Sequence, residues 1–459
     1  MKRTMHVMGA LATITILAGG AARRVAAQEA GAGQDSVPAR LSLGDAARLA
    51  ARMSTSSRIA ASQAEESDAQ ARQSWAGLLP KLSADAVESQ NTINLAAFGF
   101  DASALPGGGS FFNPDKPVGP IRTTDFRARL DMPLVDLSAY DRMKSAHQQA
   151  EAAHTGADAS AQDAAVQGAR AYLGVLQARE QLAARQRDLS LAQELLQMAR
   201  DQLSAGTGIQ LDVTRAQARV ATVRSQILDA NTAVDRARLA FLRTVGLPLN
   251  TDIELADSLG SLSFPETLPS PDDAESRALE SRPAVRAAEM RLQALDHSTA
   301  AARAERYPTL SLTADDGLFG TDLDHLLNTY TWRLQVSVPL FTGLSHQGRV
   351  DAEQARQRTE AYRLEDLRRN VAYQAREAVL TARAAREQTS AAQERLRLAQ
   401  QEVDQAEQRV RAGVSGNEEV VRASLNLSDA RSAYIQAVAG AQAARVNLAW
   451  VQGAVTEIP

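Results

Sequence analysis

The sequence predicts a mainly α-helical fold with a small β part, in which one helix–strand–strand–helix unit occurs twice. Three observations predict it: landmarks that recur in the same order, two long stretches without proline, and short segments of alternating polarity. The two copies are residues 41–246 and 270–453. Pro133 precedes Gly206 by 73 residues, and the equivalent spacing in the second copy, from Pro339, is 74. An internal repeat of this kind indicates a repeated structural unit.

The N-terminus has the pattern of a secretory signal peptide, predicted over residues 1–27. Lys2 and Arg3 form a charged start, residues 7–16 are mostly apolar, and residues 25–27 are a small-residue cleavage site. A short membrane anchor is the alternative, but the apolar run is shorter than the ~20 residues that span a bilayer. The remaining connecting segments are predicted as an N-terminal linker at 28–40, an inter-repeat linker at 247–269 and a C-terminal tail at 454–459.

Composition excludes several classes of protein. The chain has no Cys, so disulfides, thiolate metal sites and a Cys-linked lipid anchor are impossible. Removal of residues 1–27 deletes four basic and no acidic residues, which changes the net charge from −4 to −8 and argues against a nucleic-acid partner. The six His are scattered, and no phosphate loop, nucleophile elbow or triad order occurs. We therefore predict no cofactor, no metal and no enzymatic activity.

Two long helices are predicted at about 137–203 and 344–411. Each has ~67 residues and can extend ~100 Å at 1.5 Å per residue. Their apolar residues recur in alternating steps of three and four, the coiled-coil repeat, so each long helix is expected to pair antiparallel with the shorter helix after its Gly-centred break. The seam positions are Leu189, Ala192, Leu196, Ala199 and Leu203 in the first copy, and Ala385, Thr389, Ala392, Leu396, Ala399, Val403, Ala406 and Val410 in the second.

Four short segments are predicted to be strands, at about 81–91, 124–135, 309–317 and 330–341. The second and fourth alternate strictly between apolar and polar residues, which indicates one apolar and one wet face. Their length of ~10 residues suits a membrane barrel, although a half-buried hairpin of a soluble protein has the same pattern. The predicted lipid-facing residues are Leu130, Met132, Trp332, Leu334, Val336 and Val338.

Four strands cannot close a barrel, because bacterial outer-membrane barrels have at least eight. If the strands cross a membrane, the chain must therefore oligomerise. A trimer would contribute twelve strands and twelve helical struts, counting four of each per chain.

The order, spacing and duplication of these segments resemble the outer membrane factor family, of the TolC type, over about 41–453. The resemblance implies a homotrimer in which a 12-stranded β-barrel in the outer membrane is continued by a long α-helical coiled-coil barrel in the periplasm. The segments that carry it are the opening helix 41–50, residues 76–80 and 304–308 before the strands, residues 282–285 at the start of the second repeat, and residues 338–341 before the second long helix.

The same resemblance implies a function. It predicts the outer-membrane channel of a tripartite efflux or type I secretion system in a Gram-negative-type bacterium, a passive exit duct surrounded by outer-membrane lipid. The expected partners are a periplasmic adaptor protein and an inner-membrane pump, with no nucleic acid. The alternative is a soluble periplasmic coiled-coil scaffold or adaptor, which leaves the four matched short segments without a role.

The resemblance also implies site residues. In the family the Gly-centred turns lie at the periplasmic tip and contact the adaptor; here they are Gly206, Thr207 and Gly208, and Gly413, Val414 and Ser415. Acidic residues just past these turns line the entrance and favour cations, and the matching residues are Asp212 and Glu419. The further acidic position is Arg422 in this chain, which is expected to pair with Glu419 or to weaken the negative field. A solvated helix face is the alternative for Glu419.

Overall fold

The computed structural model describes residues 40–94, 97, 116–412 and 414–458. The predicted signal peptide, nearly all of the N-terminal linker, Gly413 and Pro459 lie outside these residues. The chain divides into two compact units, and the smaller one comprises residues 40–41 and 252–256 of the described part. In it Arg40–Leu41 (β1) pairs in parallel with Glu254–Leu255 (β4), a two-stranded ladder that the sequence did not predict.

The larger unit holds every other element, and its order is that of the predicted duplication. The first repeat contains α1 Leu43–Met53, α2 Thr55–Ala76, β2 Lys81–Ile93, β3 Val118–Val135, α3 Leu137–Ser204 and α4 Gln210–Val245. The second contains α5 Pro271–Ser281, α6 Pro283–Ala304, β5 Thr309–Gly320, β6 Leu327–Ser337, α7 Ser345–Arg411 and α8 Asn417–Val451.

Side-chain caps mark the start of two helices that lead into the repeat, α1 and α3. The hydroxyl of Ser42 accepts from the Asp45 N–H, and the Asp45 carboxylate accepts from the Ser42 N–H at 3.1 Å, a capping box at the start of α1. The nearby Arg48 guanidinium and the Ser42 hydroxyl lower the pKa of Asp45. Asp136 caps α3 by accepting from the Ala139 N–H at 2.9 Å. These caps satisfy backbone donors that the first helical turn leaves free.

The long helices form two helical hairpins, because α3 packs along α4 and α7 packs along α8. Predicted seam residues are buried in each hairpin, Ala199 in the first and Ala399 and Val403 in the second. In addition α3 packs against α6 and α8 of the second repeat, so one long helix joins the two repeats. Leu195 of α3 accordingly packs into a buried cluster that also contains Val403 of α7 and Leu427 of α8. The predicted seam did not include Leu195, which lies on the side of α3 that faces the other repeat.

The sheet of the larger unit has the order β2–β3–β5–β6, with all neighbours antiparallel. The β3–β5 ladder joins the two repeats, and β2 and β6 are the edge strands. Leu130 of β3 pairs with Leu82 on one side and Ala314 on the other, so the apolar residues share one face.

Strand bounds differ from the prediction at several ends, most at the start of β3 and at the end of β6. β3 begins at Val118 rather than near 124, and it includes Pro120, which lies before the start of the predicted strand. β6 ends at Ser337, so Val338 lies just beyond the strand rather than within it. The difference follows from pairing, because residues 118–123 of β3 pair with β2, whereas the ladder of β6 with β5 ends at the pair of Ser337 with Thr309. Among the described residues, no helix is long and apolar enough to cross a bilayer.

Candidate functional site

The first predicted docking turn connects α3 to α4. Gly206 has φ +73°, a left-handed conformation that favours glycine, and a side chain there would meet no neighbouring atom. The N–H groups of Thr207 and Gly208 both donate to the Gln202 carbonyl at 3.0 Å, which satisfies the end of the helix. Thr207 is exposed, so its side chain is available to a partner.

The second predicted turn connects α7 to α8. Gly413 lies outside the described residues. Val414 is 67% exposed, and its N–H donates to the Arg409 carbonyl at 3.0 Å. The Ser415 hydroxyl is buried and has no hydrogen-bond partner among the residues described. The exposed side chain of Val414 therefore makes the end of the second hairpin partly apolar.

The structure brings the two turns together. Asn417, at the start of α8, donates from Nδ2 to the Gln202 Oε1 at 2.8 Å, and Asn417 is buried in this contact. A second contact joins the two turns, because Arg215 of α4 lies 3.8 Å from Glu418 of α8. The ends of both hairpins therefore form one surface.

The acidic residues beyond the turns are paired with arginines. Asp212 lies 3.9 Å from Arg215, and Glu419 lies 3.1 Å from Arg409 of α7. Arg422 is 3.0 Å from Glu418, so of its two expected roles the pairing with Glu419 is not observed, and a weakening of the negative field stays a prediction. The observed pair has the i, i+4 spacing with the acid first, the favourable arrangement on a helix.

The sheet presents the apolar face that the alternation predicted. Trp332, Leu334 and Val336 of β6 pair with Ala314, Leu312 and Leu310 of β5, and all three β6 side chains are exposed. Leu130 and Met132 continue the same face on β3. Val338 is also exposed but lies past the end of β6.

The opposite face of the sheet is polar. Arg127 of β3 forms an ion pair with Asp315 of β5, and its Nε lies 3.2 Å from Asp125. Its Nη2 also donates to the hydroxyl of Thr329 at 3.2 Å. One apolar and one charged face is the pattern of a strand pair between lipid and water.

Sequence reasoning missed a buried charged cluster between the repeats. The Asp188 side chain on α3 is only 4% exposed, and it accepts from the Ser428 hydroxyl at 2.6 Å and from Arg431 Nη1 at 2.8 Å. Arg185 adds a contact at 3.2 Å. Burial lowers the pKa of the nearby Arg219 on α4, and the charge of Asp188 partly opposes that shift. The only sequence signal was a charged residue directly beside the seam residue Leu189.

The described residues contain no group of three or more His, Asp or Glu side chains placed to hold a metal ion. The candidate functional surfaces are therefore the ends of the hairpins and the two faces of the sheet.

Comparison with known proteins gives a family match over most of the chain. The family model described as outer membrane efflux protein matches residues 50–247 and 275–454. BepC, an outer membrane efflux protein of Brucella suis, is 30% identical over 197 residues, 42% of this chain and 41% of that protein. TtgC, a probable efflux pump outer membrane protein of Pseudomonas putida, is 26% identical over 256 residues, 54% of this chain and 51% of that protein. The chain therefore matches about half or less of the length of these relatives.

Solved structures share the fold over most of the chain. The CmeC outer membrane channel of Campylobacter jejuni superposes with a TM-score of 0.75 at 16% identity, covering 90% of this chain and 86% of that one. The outer-membrane channel OprN gives a TM-score of 0.77 at 18% identity, covering 90% of each chain. The predicted fold class, mainly α with a small sheet in a duplicated unit, is confirmed.

Proposed function

Because the chain belongs to the outer membrane efflux protein family, we propose that it is the outer-membrane channel of a tripartite efflux or type I secretion system. It is a passive exit duct, located in the outer membrane of a Gram-negative-type bacterium and extending into the periplasm. It acts as a homotrimer with a periplasmic adaptor and an inner-membrane pump. The relatives BepC and TtgC are described as efflux proteins, which favours efflux over protein secretion.

One observation carries this proposal: an open four-stranded sheet with an exposed apolar face. Among the described residues, its two edge strands, β2 and β6, have no strand partner along one side, an arrangement that proteins rarely leave uncovered. Four strands cannot close a barrel, whereas three copies supply twelve. A soluble scaffold would gain nothing from exposing Trp332 and Val336, so the alternative is disfavoured.

The long helices support the periplasmic part. α3 has 68 residues and α7 has 67, so each extends ~100 Å from the sheet end to its turn. At that distance the joined turns, with Thr207 and Val414 exposed, are the surface that a periplasmic adaptor can reach. We assign adaptor docking to the two turns and the entrance to Asp212, Glu419 and Arg422.

Three measurements test this function, one on fractionated cells and two on the purified protein. Fractionation should recover it in detergent extracts of the outer membrane, light scattering should show a trimer, and planar bilayers should show conductance. Recovery as a soluble periplasmic monomer without conductance would instead support the alternative, a soluble periplasmic coiled-coil scaffold or adaptor.

A further inference from the structure

One row of paired residues departs from the polarity of its face of the sheet. Val87, Asp125, Phe319 and Leu327 pair in turn across β2, β3, β5 and β6. Asp125 lies two residues from Arg127 on the same strand, so the row belongs to the charged face. Its three apolar side chains are nevertheless exposed, Val87 by 52%, Phe319 by 43% and Leu327 by 73%. The charged face therefore carries an apolar strip that interior packing does not explain.

This row lies at the end of the sheet that is remote from the long helices. Phe319 and Leu327 flank the connection between β5 and β6, whereas α3 and α7 follow the opposite ends of β3 and β6. In the channel proposed above, the charged face lines the lumen and this end is the extracellular exit. We name Val87, Asp125, Phe319 and Leu327 the mouth row. Three copies place nine apolar side chains, three from each, inside the exit.

The charges beside the mouth row leave a negative excess. Arg127 forms an ion pair with Asp315, and its Nε also lies 3.2 Å from Asp125, so one guanidinium serves two carboxylates. Arg129 lies 3.9 Å from Asp85 and is balanced by it. The mouth row and the next two rows of this face thus hold three aspartates and two arginines, a net charge of −1 per chain.

We propose that the mouth row is a binding site for an amphipathic cation that leaves through the channel. Its apolar part contacts Phe319 and Leu327, which are direct cross-strand neighbours with Cβ atoms ~4.5–5.5 Å apart. Its positive charge lies near Asp125 and over the Phe319 ring, because the face of an aromatic ring attracts cations. A mainly apolar surface with a few polar groups is the usual composition of a small-molecule site. The assignment rests on the proposed channel and adds a class of substrate to it.

The same features disfavour other occupants. Hydrated inorganic ions gain no contact with apolar side chains, and an anion meets the negative excess of three copies. The row is open to water on one side, so a bound molecule is only partly covered. Weak binding suits a duct, since a site that holds its cargo tightly would stop conduction.

Block of conductance in planar bilayers by tetraphenylphosphonium tests the apolar part of the site, with tetramethylammonium as the hydrophilic reference. Added on the extracellular side, tetraphenylphosphonium should block at the lower concentration. Phe319→Ala and Leu327→Ala should each raise its half-blocking concentration about tenfold, the effect of losing one apolar contact. Leu318→Ala is the matched control, because it truncates the neighbouring residue on the opposite face of β5 and should leave the block unchanged.

A second pair of variants tests the charge. Asp125→Asn should also weaken the block by tetraphenylphosphonium, because it removes the carboxylate between Val87 and Phe319. Asp131→Asn removes the same charge from the same face of β3, six residues further along the strand, and should have no effect. Equal effects of both variants would show that the block depends on the general charge of the lumen and not on the mouth row.

Thiol labelling gives a readout that does not depend on conductance. Leu327→Cys should react with a hydrophilic maleimide in outer-membrane vesicles, where the chain offers no other Cys, and tetraphenylphosphonium should slow the reaction. Leu334→Cys, on the apolar face, should not react.

The outcomes separate this site from the proposed channel. Reaction of Leu334→Cys, or the absence of conductance, would overturn the channel and the site together. Conductance with an unreactive Leu327→Cys would overturn the site alone, and so would equal block of Phe319→Ala and Leu318→Ala.

Discussion

The carboxylate of Asp188 lies 2.8 Å from the Arg431 guanidinium, and this ion pair joins the first long helix to the last helix of the chain. Ser428 and Arg185 occupy the remaining acceptor capacity of the carboxylate. A buried charge destabilises the folded state unless ionic and hydrogen-bonding partners satisfy it fully. The cluster therefore holds the two repeats in one register, along a seam otherwise formed mainly by small apolar residues.

Removing this carboxylate should destabilise the chain strongly. Asp188→Ala leaves Arg431 and Arg185 without their acceptor, and breaking a buried pair costs ~3 kcal/mol, at the low end of the usual range because both arginines retain some solvent contact. Denaturant unfolding followed by circular dichroism measures the loss. The control is Glu394→Ala, which removes an exposed partner of Arg397 and should leave the unfolding midpoint unchanged. Equal effects of the two variants would show that the cluster is not a structural anchor.

The face of β6 should determine tolerance to charge. Val336→Arg puts a guanidinium on the apolar face and should cost ~2–4 kcal/mol if the residue lies near the bilayer midplane. Gln335→Arg is the matched control, because Gln335 pairs with Ser311 on the polar face. The free energy of unfolding from lipid vesicles distinguishes them. Similar values for both variants would mean that the sheet face has been assigned incorrectly.

The sequence predicted the elements that proline, glycine and apolar periodicity mark. The duplicated order, the long helices and the four strands depend on such local signals. The start of β3 could not be predicted from local signals, since Pro120 resembles a loop residue until the partner strand is known. Asp188 could not be recognised either, because a charge beside a heptad seam has the same pattern whether it faces water or another helix. Both depend on contacts far apart in the chain.

The exposed valine of the second turn should be needed for adaptor docking. Val414→Arg adds charge and bulk to a 67% exposed side chain without altering a glycine conformation. Export should be lost, while the trimer and its membrane insertion are retained. Leu323→Arg is the control, since Leu323 is similarly exposed in the β5–β6 connection at the opposite end of the second repeat. Normal export by Val414→Arg would exclude a docking role for this side chain.

Glu419 should favour cations at the entrance. Three copies of a carboxylate around one axis attract cations, so Glu419→Gln should lower cation preference in planar bilayers and weaken block by trivalent cations. Arg409→Ala should raise the preference, because it frees the carboxylate from its 3.1 Å partner. Arg422→Ala should also raise the preference, because it removes a positive charge from the same entrance and frees Glu418. If selectivity and block are unchanged in Glu419→Gln, the side chain faces the outer solvent.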